Sequence, residues 1–316
     1  MNGFCSPVNE NKKICFSDAS LKKLVNYWNM LCPDKIHCKT NSTGKILFAS
    51  LNTKMKKYCG NNKYWLWTGI IEKIAETKNV KNLSRIKRSL KTIAKKELKP
   101  EKPESWYKNP RTWLSNYDIQ NVMHQYEQTP KYKYCFLGVF PIDFSVASSS
   151  GACLYSEFCK MDISKYIKKN KKFIGFITNL DRHDQPGSHW TSTFIAIDPK
   201  LQTYGAYYYD STGSSIPKYL MEFLNNVKAQ CDKIYPTKNF KIIQNKKQHQ
   251  YKNSECGIFS MIFQIRWINK HIVKKNDTSF SEIIGNPYIT DSQMLKIRDT
   301  LFRPNTKIEL KKLKNL

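Results

Sequence analysis

The sequence predicts an α+β protein in which helices pack on a sheet, preceded by a mainly helical segment. The first hundred residues carry amphipathic stripes at helical spacing, whereas short apolar runs separated by turn-forming residues prevail from residue 172 onward. With 316 residues, the chain is long enough for one large domain or for a core domain with a smaller one attached. The sequence shows no internal repeat.

Two amphipathic helices are predicted in the first hundred residues. Residues 17–31 place apolar side chains on one stripe behind a Ser/Asp cap. Residues 82–98 show a similar stripe, and lysine and arginine cover the rest of that helix. A basic face of this kind is usually only a solvated surface. The functional alternative is a docking surface for an acidic partner or a nucleic-acid backbone.

A domain boundary is expected near residue 105. The segment KPEKPES, residues 99–105, combines two prolines with charges and is predicted to end the second helix. The boundary divides the chain into a basic, mainly helical N-terminal domain, residues 1–105, and a second domain, residues 106–316.

The second domain is predicted to combine helices with strands. Residues 113–127, WLSNYDIQNVMHQYE, have a helical apolar face and either Ser115 or Asn116 as their cap. Another helix is expected to open at Ser215 and Pro217, and a very apolar run indicates a buried helix that begins at Cys256 and ends near residue 268. Apolar runs bounded by turn residues predict strands at 172–180, 189–198, 206–213 (ending in a turn) and 240–244.

The chain is strongly basic. Lysine and arginine number 53 against 25 aspartate and glutamate, a net charge of +28, which would attract nucleic acid, acidic proteins or anionic membrane surfaces. The bias of an AT-rich genome toward lysine codons is the alternative explanation. The chain begins without an apolar segment of signal-peptide length, and no run approaches the roughly 20 apolar residues that span a bilayer. A soluble protein that is not secreted is therefore expected.

The ten cysteines show no metal-binding pattern. They are scattered without a CxxC pair or a paired Cys/His spacing, so neither a zinc site nor a disulfide framework is predicted, and no cofactor is expected. Most of them are expected to be small core residues in a reducing compartment. One of them can still be a reactive thiolate.

Four chemically capable residues fall at the ends of predicted elements: His189 before a strand, Asp210 after a strand, Gln250 in a polar loop and Cys256 at a helix start. A thiol at a helix N-terminus feels the positive end of the helix dipole, which favours the thiolate. An imidazole oriented by a carboxylate can serve such a thiol, and an amide with backbone N–H groups can stabilise an oxyanion.

Each of these residues also has an ordinary structural explanation. His189 could be a half-buried strand residue, Asp210 a turn residue, Gln250 a solvated loop residue and Cys256 an apolar core thiol. The functional interpretation is preferred because four separate coincidences would otherwise be required. Three further residues lie near the site in sequence. Gln248 competes with Gln250 for the amide role, and His183 and His249 are poorer bases because neither heads an apolar strand.

The order and sequence surroundings of the four residues resemble the ubiquitin-like-protein (SUMO) protease and adenovirus-type cysteine protease superfamily. HW opens an apolar strand ending in ID, YYYDSTG follows, and a glutamine lies six residues before ECGIF. The resemblance implies a papain-like or adenain-like core with a central mixed sheet flanked by helices. It also implies that His189 is the base, Asp210 its orienter, Gln250 the oxyanion donor and Cys256 the nucleophile.

The resemblance also implies substrate-binding residues. Trp190, after the histidine, is expected to line a narrow tunnel that grips small C-terminal substrate residues. A weaker match to the family's WLND-type segment adds Trp113, Asn116 and Asp118, and Gly257 is expected beside the nucleophile.

Residues 106–305 resemble most closely the virion-maturation (core) proteases of large cytoplasmic DNA viruses of the poxvirus and asfarvirus kind. This likeness includes KYCFLGVFPIDF and the tail YITDSQMLKIRDTLFRP. Residues 1–105 match only loosely, at NTKMKKYCGNNKYWLW, and their role as an accessory arm is an expectation by analogy.

The function that the resemblance implies is a viral cysteine endopeptidase that cleaves capsid or core polyprotein precursors after small residues, at Gly-Gly-Xaa-like sites, during virion maturation. The expected partners are these protein substrates, with non-specific nucleic-acid association through the basic surface. The expected location is the host cytoplasm, at virus assembly sites, and the virion. The alternatives are a protease that removes SUMO-like or ubiquitin-like modifiers and a basic binding protein in which the protease-like residues are vestigial.

Overall fold

The computed structural model of the protein describes residues 14–39, 41–61, 64–147, 153–273, 279–285 and 289–313. The chain divides into two compact units, one formed by residues 1–110 with 299–316 and the other by residues 111–298. This division lies close to the boundary predicted near residue 105. It differs from the predicted domains at the carboxyl end, because residues 299–316 pack with the first unit.

The helices and strands are numbered in chain order. The α-helices are α1 (Asp18–Leu31), α2 (Gly44–Cys59), α3 (Trp67–Thr77), α4 (Leu83–Glu97), α5 (Asn116–Glu127), α6 (Ser156–Cys159), α7 (Ile163–Lys168), α8 (Lys218–Ile234), α9 (Cys256–Trp267), α10 (Phe280–Gly285), α11 (Asp291–Leu301) and α12 (Thr306–Lys312). The strands are β1 (Tyr134–Pro141), β2 (Phe173–Asn179), β3 (Trp190–Ala196), β4 (Gly205–Tyr209) and β5 (Lys241–Gln244).

The first unit is helical, as the sequence predicts. The apolar stripes of α1 to α4 meet in one buried cluster. Ser17 caps α1 by accepting a hydrogen bond from the Ser20 N–H at 3.2 Å, which satisfies a donor that the helix itself leaves unpaired. The buried Glu97 carboxylate, at the end of α4, accepts from the hydroxyls of Ser17 and Ser20, both at 2.7 Å, so the two predicted helices are joined at their ends.

The second unit is built on a five-stranded mixed sheet in the order β1-β2-β3-β4-β5. The outer pairs β1–β2 and β4–β5 are parallel, and the inner pairs β2–β3 and β3–β4 are antiparallel. The predicted strands are confirmed as β2 to β5. The third ends at Tyr209 instead of residue 213, because Asp210 and Gly213 form a turn closed by a 2.9 Å backbone hydrogen bond, and Gly213 has a φ of +79°.

Helices cover both faces of this sheet. On one face, α8 packs with the even-numbered residues of β2, such as Phe176, and four phenylalanines meet in largely edge-on contacts: Phe144, Phe158, Phe176 and Phe223. On the other face, Phe194 of β3 and Tyr209 of β4 stack on Trp267 and Phe263 of α9. The helix that begins at Cys256 therefore packs against β3, which follows His189, and against β4, which precedes Asp210.

The expectation that the cysteines form no disulfides was wrong. Cys153 and Cys159 form a disulfide with a Cα–Cα distance of 6.3 Å, and Cys15 is also disulfide-bonded. Cys153 and Cys159 come together because the chain bends into the short helix α6 between them. The spacing of the cysteines alone does not reveal this bend. Within the described residues, no helix combines the length and the apolar character needed to cross a membrane.

Candidate active site

The register of two antiparallel strands brings His189 and Asp210 together. Ser192 of β3 pairs with Tyr209 of β4, so the residue that precedes β3 lies beside the residue that follows β4. His189 Nε2 lies 2.7 Å from Asp210 Oδ1. The Asp210 side chain is completely buried and that of His189 is 16 % exposed, so the pair is largely shielded from water.

The Asp210 carboxylate is fixed by further hydrogen bonds. Its Oδ1 atom accepts from the backbone N–H and the hydroxyl of Thr212, both at 2.8 Å. The buried Asn245, just after β5, exchanges two 2.8 Å hydrogen bonds with the backbone of Asp210. Sequence reasoning missed Asn245, and the only signal was its position at a strand end. Thr212 thus holds the same carboxylate oxygen that faces the imidazole, and Asn245 fixes the backbone that carries it.

Cys256 is the first residue of α9, and its side chain is buried. The imidazole of His189 is influenced by this side chain as well as by Asp210. Burial by itself lowers the pKa of His189, because a buried ring is harder to charge. The hydrogen bonds and negative charges of Asp210 and Cys256 outweigh that effect and raise the pKa to about 9. The ring is therefore favoured as an imidazolium at neutral pH, which is the natural partner of a thiolate.

Gln250 is anchored on the loop that follows Asp210. Its Oε1 atom accepts from the Ser211 hydroxyl at 2.7 Å, and its own backbone N–H donates to the Ser211 carbonyl at 2.9 Å. The side-chain nitrogen donates to the Lys252 carbonyl. Gln250 is buried, whereas Gln248 is exposed and donates to the Gln250 carbonyl. This difference in burial favours Gln250 over Gln248 as the predicted oxyanion donor.

The two alternative histidines have other partners. The Nδ1 atom of buried His249 lies 2.9 Å from the Tyr209 hydroxyl, and burial lowers the pKa of His249. His183 Nδ1 lies 2.7 Å from Asp143 Oδ2, which makes a second histidine–aspartate pair that the sequence did not predict. Cys256 acts on His189, where it helps to raise the pKa of the imidazole.

Of the predicted substrate-binding residues, Trp190 and Gly257 are in close contact, and Gly257 follows Cys256 directly in the chain. Trp190 Nε1 donates to the Leu114 carbonyl at 3.1 Å, which fixes the indole beside the segment that contains Trp113. A Cβ atom at Gly257 would lie 2.8 Å from Leu114 Cδ1 and 3.2 Å from Trp190 Cδ1, so the backbone after Cys256 is closely covered. Trp113, Asn116 and Trp190 line a cavity of about 420 Å³.

Asp118 has a structural task in this arrangement. Its carboxylate accepts from the backbone N–H and hydroxyl of Ser115 at 2.9 and 2.7 Å, and the Ser115 hydroxyl caps α5 in return. The capping box occupies the Asp118 side chain. Its predicted contact with substrate stays a prediction.

Comparison with known proteins finds viral proteases. The chain is 34 % identical over 177 residues to a protein of Acanthamoeba polyphaga mimivirus that bears the provisional name of thiol protease, and the match covers 54 % of each chain. It is 31 % identical over 139 residues to a cysteine protease of African swine fever virus, which covers 44 % of this chain and 47 % of the relative. The same protein from another isolate, 30 % identical, is named SUMO-1 cysteine protease. The chain spans about half the length of the curated relatives it matches.

One solved structure supports the fold over nearly the whole chain. The crystal structure of a protease of African swine fever virus aligns over 93 % of both chains with a TM-score of 0.59 at 20 % identity. No family model matches the chain. The predicted mixed-sheet fold and the predicted resemblance to viral cysteine proteases are both confirmed.

The Asp210→Asn variant tests the cause of the elevated histidine pKa. Asparagine keeps the side chain's shape but removes the negative charge that stabilises the imidazolium, so we expect the His189 pKa to fall from about 9 by at least about one unit. Histidine-selective NMR titration measures this change, with the His189 resonance assigned from a His189→Gln variant. Asp143→Asn, which alters the His183 pair, is the matched control and leaves the His189 pKa in place. An unchanged His189 pKa in Asp210→Asn contradicts the assignment.

Proposed function

We propose that this chain is a cysteine endopeptidase in which Cys256 is the nucleophile and His189 the acid–base group. The observation that supports it most strongly is the imidazole of His189, which lies 2.7 Å from a buried carboxylate and has its pKa raised by that carboxylate and by the thiol at the start of α9. Its sequence relatives carry protease names, which supports the same activity.

The proposed reaction begins with the thiolate of Cys256. Its sulfur forms a bond to the acyl carbon of the scissile peptide, and the carbonyl electron pair moves to the oxygen. When the tetrahedral intermediate collapses, the C–N bond breaks and the imidazolium of His189 gives its proton to the leaving amine. Water then loses a proton to His189 and attacks the thioester, and breaking the C–S bond restores the thiolate. Asp210 holds the ring and stabilises its charged form throughout.

The oxyanion of each intermediate needs hydrogen-bond donors. We assign this task to the Gln250 side-chain amide and the backbone N–H groups at the start of α9. The Gln250 nitrogen carries two hydrogens, of which one donates to the Lys252 carbonyl. The other hydrogen is the proposed oxyanion donor. The hydrogen bond from the Ser211 hydroxyl to Gln250 Oε1 prevents the amide group from rotating by 180°.

The proposed substrates are viral structural precursors cut after small residues, at Gly-Gly-Xaa-like sites. The close approach of Leu114 and Trp190 to Gly257 supports this choice, because a narrow passage beside the nucleophile admits little more than backbone. A second candidate is the removal of a SUMO-like modifier, which the name of the African swine fever virus relative favours. Cleavage of modifier fusions compared with Gly-Gly-Xaa peptides distinguishes the two.

We also propose that the basic surface of the first unit associates with nucleic acid without sequence preference. The exposed face of α4 carries Arg85, Arg88, Lys91, Lys95 and Lys96, and no acidic residue of α4 is exposed.

This surface would concentrate the enzyme at virus assembly sites in the host cytoplasm and in the virion. Detection of the chain in purified virions tests that location. A structural protein with a vestigial site is the remaining alternative.

A charge-reversed variant tests the nucleic-acid proposal. Lys91→Glu with Lys95→Glu should weaken binding to a short DNA duplex, and the slope of log affinity against log salt should become shallower by about 2, since each lost phosphate contact removes roughly one counterion. Fluorescence anisotropy at several salt concentrations measures both quantities. Affinity and salt dependence equal to those of the original chain would contradict the proposal.

Cys256→Ala tests the nucleophile. Without the sulfur no acyl-enzyme can form, so we expect cleavage of a Gly-Gly-Xaa peptide to fall by at least about 10³-fold, while the protein stays folded. Mass spectrometry of the cleavage products and circular dichroism measure the two effects. Cys38→Ser, which changes a partly exposed free cysteine in the first unit, is the control and should retain activity. Cleavage retained in Cys256→Ala would contradict the proposed function.

Gln250→Ala tests the oxyanion donor. The loss of one preorganised donor lowers kcat by about 10²- to 10³-fold, with little effect on KM, because the donor acts mainly on the transition state. Steady-state kinetics on the same peptide measure the two constants. Gln248→Ala removes an amide of the same kind two residues away and should leave kcat nearly unchanged. A larger loss in Gln248→Ala than in Gln250→Ala would reverse the assignment.

A further inference from the structure

A buried ion pair lies directly before Cys256. The side chains of Glu255 and Arg298 are 0 % and 3 % exposed, and Arg298 Nε lies 3.0 Å from Glu255 Oε2. Burying two charges is costly and is tolerated only when each is paired and its remaining hydrogen-bonding groups are satisfied. Neither residue has a part in the reaction proposed above. Their place beside the nucleophile therefore calls for a physical explanation.

Arg298 joins two chain segments that flank the proposed nucleophile. Its Nη1 atom donates to the Thr112 carbonyl at 2.7 Å, and its Nη2 atom donates to the Ser254 carbonyl at 3.1 Å. The Ser254 hydroxyl donates to the second Glu255 oxygen at 2.9 Å. Thr112 immediately precedes Trp113 and Leu114, and Leu114 covers Gly257. One guanidinium therefore fixes both the residues that lead into α9 and the segment that packs over the start of this helix. The planar fork of arginine suits this task, and a lysine has no equivalent geometry.

Arg298 also has an electrostatic consequence for the thiol. Glu255 is the residue before α9, yet its side chain does not cap the helix and instead binds Arg298 and Ser254. An unpaired carboxylate at this place would oppose a thiolate on the next residue, since like charges disfavour each other's charged forms. The charged groups linked to Cys256 are His189 and Asp210, which influence one another and the thiol, Glu255, which precedes Cys256 in sequence, and Arg298 of α11, which pairs with Glu255. Arg298 offsets the negative charge of Glu255, which has no part in the proposed reaction.

We propose that Arg298 is a positioning residue for Cys256: it anchors residues 254–255 and 112 around the thiol and neutralises Glu255 beside the reacting sulfur. This inference rests on the proposed function, because it assigns a reaction to Cys256. It predicts that the two members of the ion pair influence the thiol in opposite directions. A role in stability alone makes no such prediction.

The test is the pH dependence of Cys256 alkylation by iodoacetamide, measured by mass spectrometry of the Cys256 peptide. Glu255→Gln leaves the permanently charged Arg298 beside the thiol, so the alkylation midpoint should move to lower pH by roughly one unit. Arg298→Met leaves the carboxylate, so the midpoint should move to higher pH. The double variant carries neither charge, and its midpoint should return toward that of the original chain.

The control is a more exposed arginine–glutamate ion pair in the first unit. Arg303 Nη1 lies 3.0 Å from Glu101 Oε1, and Glu101→Gln should leave the Cys256 midpoint unchanged. Thermal unfolding shows which variants are folded. If Arg298→Met does not fold, Glu255→Gln decides by itself: a shift to lower pH supports the inference, and an unchanged midpoint overturns it. Single variants that move the midpoint in the same direction also overturn it.

The alkylation test is independent of peptide cleavage, so its outcome is separate from that of the proposed function. Opposite midpoint shifts in a chain that cleaves no peptide would keep the role of Arg298 and reject the protease. Normal cleavage with no shifts would keep the protease and reject the role of Arg298.

Discussion

The hydrogen bond between Asp210 and His189 is the interaction on which the rest of the site depends. It exists because β3 and β4 are antiparallel neighbours, so the start of β3 lies beside the end of β4. Two residues 21 positions apart in sequence therefore face each other at the same end of these strands. An imidazole oriented in this way can reach a sulfur on its other side. The same sheet supports α9 through stacked aromatic rings, so the thiol and the imidazole are held by one rigid framework.

Charge compensation is the second constraint on this part of the molecule. Asp210 is completely buried, and its Oδ1 atom accepts from the imidazole and from two Thr212 donors, whereas its Oδ2 atom has no hydrogen-bond partner among the described residues. Glu255 is equally buried and depends on Arg298. Glu255 directly precedes Cys256, whereas Asp210 contacts His189. In the proposed site, Asp210 therefore promotes the thiolate through the histidine, and the charge of Glu255 is the one that Arg298 neutralises.

The sequence could predict those parts of the site that carry a local pattern. Alternating strands and the apolar helix after Cys256 revealed the element ends, and hence the positions of three of the four predicted residues. Strand β1 was not among the predicted strands, although its residues YCFLGVFP form an apolar run like that of β2. Asn245 and Arg298 escaped because their partners lie 35 and 43 residues away, and only the folded chain brings such polar groups together.

The proposed mechanism requires that His189 activates the Cys256 sulfur, and selective covalent labelling tests this most directly. A short peptide ending in Gly-Gly and carrying a vinyl sulfone in place of the scissile bond reacts only with an activated thiolate. We expect mass spectrometry to find the adduct on Cys256 and not on the other free cysteines, and to find its formation reduced by orders of magnitude in His189→Ala. Equal labelling of Cys256 in both proteins, or labelling that follows the exposure of the cysteines, would contradict the account.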